Sequence, residues 1–295
     1  MTNAAVYLTD GKEVMLDRLV NVTPTRSAPS IIHMGGMDQS PNAADADLNV
    51  KLPKTSTTID ACDATTGWTQ SGDGRAVTLN TTAGERKEGT GSLNLPITFS
   101  SGTANWSKTI SSTNLSNKFL MFYLYISTTA YTNLTSATDT LKITLGTGGY
   151  TNINVYDKAK TALQSGWNLI QIDLSTPTST GGSGATMSTV DSIKIGIKST
   201  ASSLTNNIRM DWIHYCSSTD FDISLSSGYP SINYSTLEVT YRGVIGANEM
   251  NNYDITNMML KNSDSTKIGV GEAQFTTISK TNKIIAAVQP KIKIN

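Results

Sequence analysis

Between residues 59 and 216 the chain runs through one short apolar segment after another, each closed by a polar turn, with no helical repeat between them. Candidate strands lie at 76–80, 92–99, 106–110, 118–126, 141–145, 150–156, 167–174, 190–198 and 208–215. Strands this close in sequence, with nothing long enough to serve as a crossover helix, pair into a sandwich or jelly roll. The composition points the same way. Charged residues make up only 16% of the chain, and Thr, Ser, Asn and Gly fill the place of helix formers. Thr packs well on a pleated surface, while the others supply turn geometry. The fold class expected is all-β. Two longer polar stretches, 127–140 and 175–188, are expected as loops. The second carries Thr180, Gly181, Gly182, Ser183 and Gly184 and is expected to be mobile.

The two ends are written in another style. Residues 6–8 read as a short strand, followed by a helix with Asp10 as N-cap and Glu13 three residues on. Its apolar stripe is Met15, Leu16, Leu19 and Val20. Pro24, Pro29, Pro41 and Pro53 mark extended loop around a strand at 31–34. After residue 217, a long strand is expected at 234–244 with Leu237, Val239 and Tyr241 on one face, then strands at 252–260, 273–278 and 284–294. Pro290 cannot donate to a ladder and marks an edge or a bulge in the last of these.

Lys+Arg and Asp+Glu both number 23, so there is no basic excess to neutralise phosphates, and nucleic acid is not an expected partner. Near-neutrality favours association over repulsion. The N-terminus shows neither a basic start nor an apolar core, and no run of about 18 apolar residues is present to enter a membrane. Synthesis in a cytoplasm is expected, with a composition suited to work outside a cell.

Catalysis has little to build on. The histidines, His33 and His214, sit in apolar strand-like runs, and no nucleophile elbow, HExxH pair, Walker loop or Cys/His cluster is present. Asp173 and Asp211 fall on predicted strands, but nothing pairs them as glycosidase carboxylates. No catalytic residue is assigned. The segment from Phe119 to Ile126 is apolar on both faces, with Leu120, Phe122, Leu124 and Ile126 together and Phe119, Met121, Tyr123 and Tyr125 opposite. Either it is a central strand covered on both sides, or Tyr123 and Tyr125, with Trp106, form a platform for stacking sugar rings. Trp68, Trp167 and Trp212 are assigned to the core.

Two resemblances organise these observations. Val6 to Lys12, then Leu16 to Leu19 and Ile31 to Gly36, resemble the opening of tailed-phage virion and tail-fibre proteins. Ala247 to Leu260 and Phe275 to Asn282 resemble their closing elements. The middle resembles a carbohydrate-binding-module-like jelly roll, through Ile59 to Asp63, Lys87 to Leu93, Gly166 to Ile170 and Ile208 to Ile213. The resemblances imply a discontinuous, virion-anchoring β-sandwich of residues 1–58 plus 217–295, with residues 59–216 inserted in it. They imply a structural or adhesive, non-enzymatic protein of a tailed virus particle (tail fibre, baseplate or capsid decoration). Such a protein is expected to be a homo-oligomer among other virion proteins, presenting the jelly roll to a host-surface glycan. The alternatives are a stand-alone carbohydrate-binding protein and, after it, a polysaccharide-degrading enzyme. The jelly-roll resemblance also implies a structural Ca²⁺ held by Asp60, Glu88 and Asp211, with Asp63 as a substitute for Asp60; the alternative is solvated acids at strand ends. Cys62 and Cys216 stand at the two ends of the insertion, where they form either a disulfide or two reduced, half-buried thiols.

Overall fold

The computed structural model describes residues 4–37, 40–98, 102–200, 203–282 and 284–293. The chain divides into two compact units, one of Ser56–Ser217 and one of Met1–Thr55 with Ser218–Asn295. The sequence-based boundaries at 58/59 and 216/217 fall one to three residues from these.

In the first unit two six-stranded antiparallel sheets face each other. One runs, neighbour to neighbour, Ser179–Gly181, Asn152–Lys158, Leu141–Thr147, Val190–Lys198, Thr103–Thr113 and Trp68–Gly72. The other runs Gly166–Asp173, Phe119–Ile126, Ile208–Cys216, Ser92–Asn94 and Thr78–Asn80, with Thr57–Asp60 also pairing to Ile208–Cys216. Period-two alternation sends Leu120, Phe122, Leu124 and Ile126 inward from one sheet to meet Ile143, Leu145, Ile193, Ile195 and Ile197 from the other. Each such side chain, fully removed from water, contributes roughly 1.5–3 kcal/mol before entropy is counted. The protein is all-β apart from short helical pieces.

Both stretches expected as loops carry structure. Thr128–Asn133 is a helix whose first turn is capped by Ser127, its Oγ accepting from the Ala130 N–H at 3.0 Å. In the Gly/Ser-rich stretch, Ser179–Gly181 pairs as an edge strand. The side-chain oxygens of Asn152 and Asn154 then accept from the N–H groups of Ser183 and Ala185 at 2.9 and 3.0 Å. Expected mobility gives way to a pinned turn. The strand expected at 92–99 is observed as Ser92–Asn94, and Phe99 lies outside the described residues.

The second unit draws one sheet from both chain ends, in the order Ala4–Tyr7, Gly269–Ser279, Asp254–Asn262, Pro29–Gly35, Ile223–Ser224. The C-terminal hairpin is therefore flanked on both sides by N-terminal strands, with Ala4 opposite Gln274 and Met34 opposite Met258. The helix is present at Thr9–Val20, but it docks differently from the expectation. Leu8, not Asp10, occupies the N-cap position, with no side-chain cap. Gly11 and Val14 are its buried residues, while Leu16, Leu19 and Val20 are exposed. Gly11 allows this approach, because a Cβ there would stand 2.4 Å from Val270 Cα. The long strand expected at 234–244 is broken: Leu237 takes a φ of +52° and Glu238–Thr240 and Gly243–Ile245 join different partners. The last segment divides likewise at Pro290 into Ala286–Val288 and Lys291–Lys293, and Ile294 lies outside the described residues.

Candidate functional site

The face of Phe119–Ile126 that turns away from the core is where the chemistry collects. Register carries a row of side chains across the sheet: Trp167 opposite Tyr125, Tyr125 opposite Arg209, Arg209 opposite Asn94, and Asn94 opposite Thr78. At about 4.8 Å per strand this row is roughly 19 Å long. Tyr125 and Trp167 are half-buried, with ring centroids 5.5 Å apart and planes at 62°. The Arg209 guanidinium lies 4.1 Å from the Tyr125 ring centre and reaches Glu85 Oε2 at 3.3 Å. Lys87 Nζ stands 5.4 Å from the Trp167 ring centre. Two buried polar atoms of this row, Arg209 Nε and Asn94 Oδ1, have no hydrogen-bond partner among the described residues. Asn94 spends its Nδ2 on Thr78 Oγ1 at 3.1 Å.

One step along the strands lies a covered row. Tyr123 is 2% exposed, edge-on to Trp167 at 6.2 Å and stacked with Trp212 at 6.3 Å. It shares the predicted face with Tyr125 but is closed off, so it is not a free stacking surface. Trp106 is a second correction. It lies on Thr103–Thr113 of the opposite sheet, fully inside the core, and its Nε1 donates to Arg75 O at 2.9 Å. Trp68 is a core residue, whereas Trp167 and Trp212, also assigned to the core, stand on the outer side of their sheet. Trp212 reaches that side because the strand slips register between Asp211 and His214, and Trp212 itself takes a φ of +46°. Its ring then stacks on His214 at 3.7 Å, and His214 Nδ1 donates to Trp212 O at 2.8 Å. Burial pushes the His214 imidazole down to about 3.

The trio expected to hold calcium is not assembled. Asp60 gives one oxygen to the Cys62 N–H and the other to Trp68 Nε1 at 3.1 Å and Lys108 Nζ at 2.7 Å. Its substitute Asp63 accepts from the N–H groups of Thr90 and Gly91, both at 2.6 Å. Among the described residues no group of three His, Cys, Asp or Glu side chains is placed to hold an ion. Glu88 and Asp211 do come together. Asp211 Oδ2 accepts from the Lys87 and Glu88 N–H groups at 2.5 and 3.1 Å, and the Trp212 backbone N–H also favours its charged form; its Oδ1 and Glu88 Oε2 are buried with no close hydrogen-bond partner among the described residues. Burial, with Glu88 alongside, pushes Asp211 up to about 7, and burial with Asp63 nearby raises Glu88. Asp173 and Asp211 do not form a hydrolytic pair. Asp173 is opposite Phe119 and Asp211 opposite Tyr123, which separates them by four residues, about 14 Å, along the strands.

The disulfide is absent: both cysteines are free and buried. Cys62 belongs to the core, whereas Cys216 is opposite Phe119 on the outer face, its Sγ 3.9 Å from Met121 Sδ. The sheet itself stands between the two thiols.

Tyr125 was legible from alternation along its strand; Trp167 was assigned to the core and Arg209 to no site, although the same alternation puts both beside Tyr125. Ile170, Ile172 and Leu174 mark the core face of their segment and put Trp167 opposite, and Ile208 and Met210 do the same for Arg209.

No protein-family model and no curated protein matches the chain. Solved structures similar to it include a family 11 carbohydrate-binding module from Clostridium thermocellum in complex with a β-1,3-1,4-mixed-linked tetrasaccharide, at 13% identity and a TM-score of 0.36, covering 54% of this chain and 94% of that one. A second is the family 11 module of the cellulosomal cellulase Lic26A-Cel5E of Clostridium thermocellum, at 12% identity and a TM-score of 0.37, covering 56% and 96%. A third comes from work on promiscuous specificity among carbohydrate-binding modules of the β-sandwich superfamily, at 13% identity and a TM-score of 0.38, covering 73% and 98%.

Proposed function

We propose that the protein binds glycans without cleaving them, on the outer face of the sheet that carries Tyr125. The observation that supports this is the open ring pair Tyr125–Trp167 at one end of a cross-strand row that continues into polar side chains. Aromatic faces accept the apolar face of a sugar ring, and the rest of the row offers groups for its hydroxyls. Arg209 Nε as donor and Asn94 Oδ1 as acceptor are buried and unspent, so satisfying them on binding offsets a cost the unliganded protein already bears. Glycan-array screening of the full chain, followed by calorimetry on a hit, tests it. Tyr125→Ala and Trp167→Ala should each weaken binding at least about tenfold, about 1.4 kcal/mol, while Trp68→Phe leaves it unchanged. A blank array at high protein concentration, or binding indifferent to both ring deletions, refutes it.

A hard cation such as Ca²⁺ belongs, in the same reading, against Glu88 and Asp211 and not against Asp60. Each of these carboxylates carries a buried oxygen with no close hydrogen-bond partner among the described residues, and backbone carbonyls would complete an oxygen shell.

A second reading concerns the unit built from both chain ends, as a particle anchor of a virion that presents the other unit to a host surface. Its support is the distribution of exposed apolar side chains. Among the described residues the large ones, Leu16, Leu19, Val20, Val22, Ile232 and Ile285 among them, belong to this unit, with Leu79 the exception. It expects a homo-oligomer by native mass spectrometry, and a strict monomer at high concentration counts against it.

A further inference from the structure

Lys280 is 1% exposed. An ammonium taken out of water ordinarily brings a carboxylate with it, as Lys261 does by meeting Asp47 at 2.9 Å. Lys280 does not. Among the described residues its Nζ meets three neutral oxygens: Thr281 O at 2.9 Å, Asn251 Oδ1 at 3.0 Å and Ala247 O at 3.3 Å. Backbone pairing fixes the two side chains beside each other. The Lys280 N–H donates to Tyr253 O at 2.9 Å and the Asn252 N–H donates to Lys280 O at 2.7 Å, while Met250 and Tyr253 on either side of Asn251 are buried. Glu249 stands two residues before Asn251, out of ion-pair contact with Lys280 Nζ among the described residues, and its charge acts on Lys280 from that distance. Its carboxylate is held in place by the Gly246 N–H at 2.7 Å and by Lys54 Nζ at 3.2 Å.

We propose that Lys280 and Asn251 join, without any enzyme, in an intramolecular isopeptide bond, with Glu249 moving the protons. Once the Glu249 carboxylate has swung from Lys54 to Nζ and taken a proton from it, the freed lone pair attacks Asn251 Cγ. The bond from Cγ to Nδ2 breaks. Of the two protons that leave Nζ in turn through Glu249, one goes to the departing Nδ2, which leaves as ammonia, and the other goes to solvent. The new amide keeps the third. Nothing is oxidised or reduced. Burial lowers the ammonium's hold on its proton, which favours the amine form that attacks. Fixing a nucleophile against its target is worth an effective concentration of about 10⁵ M or more, which offsets the poor reactivity of a carboxamide. The bond would bracket the hairpin of Asp254–Asn262 and Gly269–Ser279, the two strands at the middle of the sheet.

The test is the intact mass of the purified full chain under denaturing conditions, followed by tryptic mapping. The expected mass is about 17 Da below that of the sequence, the loss of ammonia, with peptide 243–261 covalently joined to peptide 268–283. Lys280→Arg keeps a cation for the three oxygens but cannot form the bond, and should have the full sequence mass. Glu249→Gln keeps an acceptor for the Gly246 N–H and should remain unjoined or join much more slowly. A wild-type chain at full sequence mass after prolonged incubation at neutral pH overturns the proposal. So does a 17 Da loss without a joined peptide, which a cyclic imide at Asn251 alone would give, or the same loss in Lys280→Arg. Undiminished joining in Glu249→Gln overturns the role given to Glu249.

Discussion

His214 offers the sharpest test of the packing around the candidate site. It is fully buried, stacked on Trp212 and bonded through Nδ1 to Trp212 O, so protonating it would leave a charge in a place built for a neutral ring. An unfolded histidine takes up its proton near pH 6.5, whereas this one holds off until about 3. A depressed imidazole contributes stability that is present above pH 6.5 and is lost as pH falls toward 3. Moving from pH 7 to pH 4.5 crosses about 2 pH units of that window. At 1.36 kcal/mol per unit, the His214 contribution falls by about 2.7 kcal/mol. With a urea m-value of about 2 kcal/mol/M, the unfolding midpoint drops by roughly 1.3 M from this residue alone. His214→Asn keeps a donor near Nδ1 and cannot titrate. The variant should be less stable than wild type at pH 7, having lost the stacked ring, yet lose about 2.7 kcal/mol less on acidification. All four tryptophans, Trp68, Trp106, Trp167 and Trp212, lie in the unit Ser56–Ser217, so tryptophan fluorescence reports that unit's unfolding selectively. Both proteins are compared in EDTA, where every other titrating group is shared and cancels in the difference. If the variant and wild type lose the same stability between pH 7 and 4.5, the neutral, sealed imidazole is wrong.

Asp211 should act with the opposite sign: raised to about 7, its stability contribution is greatest below pH 4 and is lost as pH rises through 7. In EDTA the wild type should lose about 4 kcal/mol from this group between pH 4 and 8, and Asp211→Asn should not, as read from urea midpoints across that range. Calcium at a hundredfold excess over its dissociation constant should return about 2.7 kcal/mol to wild type at pH 8 and nothing to Asp211→Asn, and a melting temperature indifferent to both EDTA and Ca²⁺ refutes the cation site. Trp106→Ala should cost about 3–5 kcal/mol in urea unfolding, whereas Tyr125→Ala should cost far less. Gly11→Ala should destabilise the other unit by about 1–3 kcal/mol, because the added methyl meets Val270 backbone, and unchanged thermal unfolding would show that the helix is free to move.

The alternation of residues decided what could be read in advance. In the stretch Val190 to Lys198 the sequence-based and observed strands coincide, because Ile193, Ile195 and Ile197 all face the core and the opposite positions are polar or small. The helix was legible as a helix, but its docking face was not. Met15, Leu16, Leu19 and Val20 form an apolar stripe by spacing, yet the contact is made through Gly11, a residue that carries no hydrophobic signal and acts by having no side chain. Trp106 and Tyr123 were misplaced because periodicity assigns a residue to a face and says nothing about what covers that face. Residues 87 and 88 close over Asp211 and, through Lys87, over Tyr123, from a stretch with no regular structure of its own. For the same reason the fate of Asp60 was hidden: its partners, Trp68 and Lys108, come from strands of the opposite sheet.

The register slip between Asp211 and His214 is where local irregularity turns into chemistry. In an unbroken strand, alternation after Asp211 would send both Trp212 and His214 toward the core and Ile213 outward, leaving Tyr123 without its stacked neighbour. The slip, with the left-handed backbone at Trp212, exchanges the two faces: Trp212 and His214 turn outward and Ile213 enters the core. Three rings, Tyr123, Trp212 and His214, then form a covered layer beside the open pair Tyr125 and Trp167. That layer is closed to ligands by its burial. It fills the volume next to the open rings and fixes Trp167 from its edge through Tyr123, so that the exposed platform is rigid before a ligand arrives. Trp212→Gly would relieve the left-handed strain but empty the layer. Glycan affinity should therefore fall although residue 212 is nowhere in reach of the ligand, and affinity equal to wild type in a folded Trp212→Gly protein would show that the platform needs no such support.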